Sequence, residues 1–324
     1  MTRTARRAGR LLLVLLATAV TAVLGLASTG VWRLGASPPG TTPSPAASAL
    51  PRSPAPSAPS STSPSSAPPT SAADCPEPAS GFDCDFQRRF AAVRAYLRTR
   101  PGVVGVVVHD RQTGAVWRND NADTPVWTAS TIKLALAMDL FQRDRTGAIR
   151  LSTGDRALIH AMLHSSDDNA ADTLWFRYAG ADHMTFNRDF AGFGMTSLRP
   201  QRGFSEFYPY WGFQQCTADD LSHLIDYALT NLPRSVRDNI VDELRTVAPD
   251  QQWGVWDAGP AARPGNKDGW SLEQGGWVVN TVGFVGPAER YTVAVMNGLR
   301  GQGGYDEGRA TDGHVAQLLF GGRF

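Results

Sequence analysis

The chain reads as an α+β protein in which one antiparallel sheet, formed by both ends of the folded part and flanked by helices, receives an inserted all-helical lobe. Three observations predict this. β-Branched runs cluster between residues 102 and 118 and again after Trp270, and the segments between them carry helical spacing. One of those helices is apolar nearly all round, so it belongs at the centre of a lobe rather than on its surface. Strands at the two ends around a helical middle close most simply as one sheet.

The elements follow in order. From Asp83 to Thr99, apolar residues recur at Phe86, Phe90, Val93 and Leu97, the spacing of a helix face. Gly102 to Asp110 and Ala115 to Arg118 flank the turn-like Arg111-Gln112-Thr113-Gly114 and predict a β-hairpin. Ser130 to Arg143 is the buried helix, with Ile132, Leu134, Leu136, Met138, Leu140 and Phe141 pointing to every side. Further helices fit Asp155 to His164, Asn169 to Tyr178 and Ala218 to Leu232, each beginning near a polar capping residue. Gly276 to Val285 and Tyr291 to Met296 read as strands, and a helix from about Gly308 to Phe320 closes the chain. No internal repeat is visible.

The N-terminal quarter has another character. Arg10 and Arg33 enclose an uncharged, mostly apolar run from Leu11 to Trp32, so residues 1–36 predict a signal peptide or an uncleaved membrane anchor. No cysteine lies in that stretch, which excludes lipid attachment there. Residues 37–73 are nearly all Ser, Pro, Ala and Thr and hold 11 of the 22 prolines, a composition that cannot bury enough surface to fold. They predict an extended linker, which leaves 74–324 as the folded domain, held outside the cytoplasm at a membrane or cell wall. Six arginines precede the first acidic residue, Asp74; from there on 25 basic face 30 acidic residues, which argues against a nucleic-acid partner. The three cysteines, Cys75, Cys84 and Cys216, suit an oxidising compartment, with Cys75–Cys84 as the expected pair across a Pro- and Gly-containing loop.

Chemistry concentrates in three short segments. Ser130-Thr131-Ile132-Lys133 places a hydroxyl and an amine on one helix face, roughly 5–6 Å apart at their β-carbons. An amine among apolar neighbours has its charged form disfavoured and can take the serine proton, while the helix N-terminus favours developing negative charge. Alone, such a tetrad is more often a helix cap and a lysine snorkelling to solvent. Lysine usage separates the two readings: of 31 basic residues only Lys133 and Lys267 are lysine. Where a positive charge alone suffices this chain uses arginine, which cannot serve as a base near neutral pH. Lys267 heads Lys267-Asp268-Gly269-Trp270, and a third cluster, Ser166-Asp167-Asp168-Asn169, lies between two helices. Taken singly, the first of these is a turn and the second a helix cap.

Together, in this order, the three segments resemble the Ser-x-x-Lys, Ser-Asp-Asn and Lys-Thr-Gly motifs of the serine β-lactamase and penicillin-binding-protein superfamily, most closely its class A branch. The Ala170-Ala171 pair and the Gly276-Trp277-Val278-Val279-Asn280 run add to the likeness, which covers the chain from about Asp83 onward. The resemblance implies that Ser130 forms an acyl-enzyme after Lys133 takes its proton, and that Ser166 relays a proton to the leaving group beside Lys267. It implies an oxyanion hole from the backbone N–H groups of Ser130 and Trp270, and a substrate pocket bordered by Asp168, Lys267, Asp268, Gly269 and Trp270. It implies a monomeric catalytic domain acting on a small-molecule or peptidoglycan-derived substrate, with no cofactor and no metal.

Three departures concern the chemistry. Asp168 stands where the motif has Asn, unless a one-residue shift gives that place to Asn169, so an amide that donates becomes a carboxylate that only accepts. Asp268 replaces the threonine that helps hold a substrate carboxylate, and would repel an anion there. No Glu-x-x-Leu-Asn loop occurs between Leu198 and Cys216; Glu206 is the sole glutamate there, with unlike neighbours. The leading expectation is therefore a serine hydrolase of β-lactam or cell-wall amides and esters, including a D-Ala-D-Ala peptidase or esterase that turns β-lactams over poorly. Two other classes compete. A catalytically silent cell-wall binding module would fit the two altered aspartates, and a metal hydrolase would use His160, His164 and Asp167, although the His-Glu-x-x-His pattern is absent.

Overall fold

The computed structural model describes residues 80–203 and 206–324. Of the chain's two units, the first, 1–65, lies outside the described residues, as do the expected linker and Cys75; the second holds every element below. No helix among the described residues is long and apolar enough to cross a membrane.

The main sheet has five antiparallel strands. They are β1 (Val103–Asp110), β2 (Ala115–Arg118), β6 (Gly265–Glu273), β7 (Gly276–Val285) and β8 (Tyr291–Gly298), in the spatial order β2-β1-β8-β7-β6. The N-terminal hairpin pairs with the C-terminal strand through β1–β8, from Val103 opposite Gly298 to Asp110 opposite Tyr291. Both faces are covered, and β1 shows how: Val104, Val106 and Val108 join one apolar cluster, while Val107 between them joins another. Alternation along the strand directs each set to its own layer. The first layer is α1 (Cys84–Leu97) and α8 (Tyr305–Phe320); the second is the helical lobe.

That lobe contains α2 (Ile132–Thr146), α3 (Thr153–His164), α4 (Asp168–Tyr178), α5 (Thr185–Gly192), α6 (Ala218–Thr230) and α7 (Arg234–Arg245). A small second sheet of β3 (Val126–Trp127), β4 (Arg199–Pro200) and β5 (Gln214–Cys216) lies in the same part of the chain. Every residue of α2 from Ile132 to Phe141 is buried, Lys133 and Asp139 included, as expected for a central helix. Local chemistry sets the boundaries. Capping boxes at Ser152–Asp155 and Thr217–Asp220 start α3 and α6, Asp167 caps α4, and Gly147 in the left-handed region ends α2.

Several segments differ from expectation. The Lys267-Asp268-Gly269 segment is no turn: it lies inside β6, the edge strand, paired with β7 from Gly265 opposite Phe284 to Glu273 opposite Gly276. Helices α5 and α7 were not anticipated, and a short 3-10 turn, Ala129–Thr131, precedes α2. Cys84 is disulfide-bonded, whereas Cys216 is free and buried against Met296.

Candidate active site

Ser130 sits in the 3-10 turn that leads into α2, half-buried, directly after Ala129, whose φ is 45°. A left-handed residue with a side chain is uncommon, and here the surroundings hold it. The Asn280 amide on β7 donates to the carbonyls of Trp127 at 2.8 Å and Thr128 at 3.2 Å, and Thr131 donates back to Thr128 through its hydroxyl at 2.6 Å. From the other side comes Gly269: a β-carbon there would fall 2.7 Å from the backbone nitrogen of Ser130 and 2.6 Å from that of Thr131. Only glycine lets the edge strand approach so closely, which brings β6 against the N–H of Ser130.

One turn along, the Lys133 amine returns to the serine. Its Nζ donates to Ser130 Oγ at 2.9 Å, to the Ser166 carbonyl at 2.8 Å and to Asp168 Oδ1 at 2.5 Å, with Ser166 Oγ at 3.4 Å. The Lys133 side chain is 0% exposed and that of Asp168 72%, so the ion pair spans the boundary between core and solvent. Burial pushes the Lys133 pKa below its ordinary value, and Asp168, then Asp167 and Asp172, pull it back up. The alternative of a lysine reaching into water is thereby set aside.

Ser166 has a left-handed backbone, with φ of 58°, just before α4. Its hydroxyl accepts from Lys267 Nζ at 2.9 Å, and the same ammonium donates to the Asp268 carbonyl at 2.7 Å. Lys267 is fully buried; desolvation, then the nearby charge of Lys133, bring its pKa down to about 7. Ser130, Lys133, Ser166, Asp168, Lys267 and Gly269 thus converge, although they come from the starts of α2 and α4, from the turns just before them and from β6.

Asp268 does not join them. As the neighbour of Lys267 on a strand it projects to the opposite face of the sheet. There it is fully buried beside Asn266 and Thr281, and burial raises its pKa well above the ordinary range. The expectation that its carboxylate borders the substrate pocket is corrected by this alternation. The Trp270 ring lies on the same far side, 5.4 Å from Tyr305 and 5.9 Å from Trp253, so only its backbone can serve the site. Glu206 is exposed and is not among the partners of Ser130, Lys133 or Ser166.

Three residues were missed. The Trp211 ring lies over Lys133 Nζ, 4.5 Å to its centroid, and its indole N–H donates to Asp172 Oδ1 at 2.7 Å, as does the Tyr210 hydroxyl at 2.5 Å. Asp172 follows Asp168 by one turn of α4, a spacing that could have flagged it. Tyr210 and Trp211 come from an irregular loop that carries no periodic signal. His160 and His164, the candidate metal pair, instead meet α7 and its end: Glu243 Oε2 at 2.9 Å and the Thr246 carbonyl at 2.6 Å, while Asp167 caps α4.

Residues 88–154, which include Ser130 and Lys133, match a family model described as the β-lactamase enzyme family. A protein of Mycobacterium tuberculosis, LppW, named as a candidate lipoprotein, is 29% identical over 202 residues, 59% of this chain and 62% of that protein. The chain thus spans less than two thirds of the length of these curated relatives. Among solved structures, a β-lactamase from Chitinophaga pinensis superposes with a TM-score of 0.62 at 14% identity, covering 72% of this chain and 98% of that one. An ancestral class A β-lactamase of Gram-negative bacteria gives 0.58 at 20% identity, with the same coverage. The resemblance to the serine β-lactamase and penicillin-binding-protein superfamily is borne out by these matches, and the fold is that of class A β-lactamases.

Proposed function

From that fold and that cluster, we propose that the chain is a serine hydrolase that works through an acyl-enzyme on Ser130, on a β-lactam or a cell-wall-related amide or ester. The observation that carries this reading is a buried amine 2.9 Å from a half-buried hydroxyl at a helix start. In its neutral form Lys133 accepts the Ser130 proton as Oγ attacks the substrate carbonyl carbon. Negative charge then develops on the carbonyl oxygen next to the Ser130 N–H, where Gly269 lets the edge strand close in; the Trp270 N–H would supply the second donor. Collapse breaks the bond to the leaving group, which receives a proton from Ser166, and Lys267 steadies that hydroxyl from beneath.

Deacylation is the weak half of the cycle. Among the described residues no glutamate joins the cluster, Asp172 already accepts from Tyr210 and Trp211, and Asp168 is engaged in the ion pair with Lys133, so activation of water falls to Lys133. Hydrolysis of a bulky acyl group should therefore be slow, which favours a peptidase or esterase that retains penicillin over a fast β-lactamase. The expected outcome with a labelled penicillin is an adduct seen by intact mass, absent in Ser130→Ala, that persists for minutes or longer. A chromogenic cephalosporin turned over rapidly, with no adduct, would contradict it. The same proposal puts this activity outside the cytoplasm, a reading that the apolar run between Arg10 and Arg33 supports.

A further inference from the structure

Against the burial that disfavours it, the charged form of Lys133 has a full set of partners. An ammonium has three hydrogens, and the acceptors Ser130 Oγ, the Ser166 carbonyl and Asp168 Oδ1 at 2.5–2.9 Å take all three, leaving no lone pair for a proton. The Trp211 ring above Nζ favours the cation as well. Of these partners, the one carrying a compensating charge is Asp168.

Asp168 is also the most exposed acidic group at this site. Asp167 accepts from the Ala170 N–H at the start of α4, and Asp172 holds two donors through one oxygen. The Asp168 carboxylate spends one oxygen on Lys133 and is 72% exposed, so its remaining acceptor sites open to solvent. Neither lysine of the cluster faces outward to counterbalance it: Lys133 is 0% exposed and Lys267 is buried under Ser166. A ligand approaching Ser130 thus meets an aromatic ring, hydroxyls and an exposed carboxylate whose ionic partner, Lys133, lies buried beneath it.

Resting on the hydrolase reading above, we propose that the substrate is an ester or amide bearing a positively charged group near its scissile carbonyl, and that this group, on binding Asp168, releases Lys133 to act as base. The charge balances. The substrate cation takes the place of the lysine's proton as the partner of Asp168, that proton leaves to solvent, and the neutral amine then accepts the Ser130 hydrogen as the Oγ–carbon bond forms. Asp168 is a specificity residue in this scheme because it touches substrate, and a positioning residue for Lys133.

The test uses three 4-nitrophenyl esters of equal chain length, ending in trimethylammonium, tert-butyl or carboxylate, with wild type and Asp168→Asn. This exposed, near-isosteric change leaves the fold intact. A neutral fluorophosphonate that labels Ser130 serves as an independent measure of nucleophile reactivity. In wild type, kcat/KM should favour the cationic over the neutral ester by about tenfold or more, and the anionic ester should be poorest. In Asp168→Asn that preference should fall to within about twofold. The acid limb of its pH profile should move to lower pH, because the carboxylate that raised the Lys133 pKa is gone. Fluorophosphonate labelling of wild type with no preference among the esters would overturn this proposal and leave the hydrolase reading standing. Failure to label Ser130 in either protein would remove both.

Discussion

The two faces of strand β6 make opposite use of polar side chains one residue apart. Toward the lobe, the Lys267 ammonium meets a hydroxyl at 2.9 Å and a carbonyl at 2.7 Å, and that hydroxyl links it to Lys133. Away from the lobe, the Asp268 carboxyl has only weakly placed neighbours in Asn266 and Thr281, and Asn266 Oδ1, Asn297 Oδ1 and Asp312 Oδ2 have no hydrogen-bond partner among the described residues. Burial keeps the Asp268 and Asp312 carboxyls protonated far above the ordinary carboxylate range. The lobe-facing side is a matched network whose charges offset one another. The far side is an acceptor-rich core whose acids are tolerated by being neutral. The same motif therefore contributes chemistry on one face and a stability cost on the other.

That contrast can be broken first at Gly269, where the strand crosses between the two. Gly269→Ala drives a methyl group into the Ser130 and Thr131 nitrogens, and should slow acylation of Ser130 by about a hundredfold, in line with loss of an oxyanion donor. Stopped-flow labelling checks it; an unchanged rate would mean that the edge strand does not border the reacting carbonyl. A smaller effect is expected at the far face. Because the folded-state pKa of Asp268 is raised, the folded protein keeps a proton that the unfolded chain releases above about pH 3.8, so stability drains as pH rises from there. Asp268→Asn should raise Tm at pH 8 by ~3 °C or more, change it little at pH 4, and leave acylation within about twofold. Unfolding scans across that range check the sign; a Tm gain confined to low pH would contradict it.

The same two faces explain what the sequence disclosed. Helices α1, α2, α3, α4, α6 and α8 were legible because apolar spacing and capping residues such as Ser152 and Thr217 agree with each other. The three motif segments were legible because their order is informative where each alone is not. Strand β6 was not read as a strand, and its Lys267-Asp268-Gly269 segment taken alone suggests a turn, because Gly265, Asn266, Asp268 and Gly269 are poor strand formers; pairing with β7 overrode local preference. Missing that strand also misplaced Asp268, whose side follows from Lys267 once alternation applies. Helix α7 did carry a signal, Val236, Ile240 and Leu244 at four-residue intervals, and went unread. Trp211 had none, since its position over Lys133 is decided by the loop's path and not by any spacing.

Everything on the lobe-facing side depends on an amine that can lose its proton. The most direct measurement is the pH dependence of fluorophosphonate labelling at Ser130 in wild type and in Lys133→Arg, which keeps the charge but cannot act as base. The account predicts a wild-type rate that climbs with pH and levels off below the 10.5 of an ordinary lysine, and a fall of about a thousandfold in the variant. Equal labelling of both proteins across the range would contradict it.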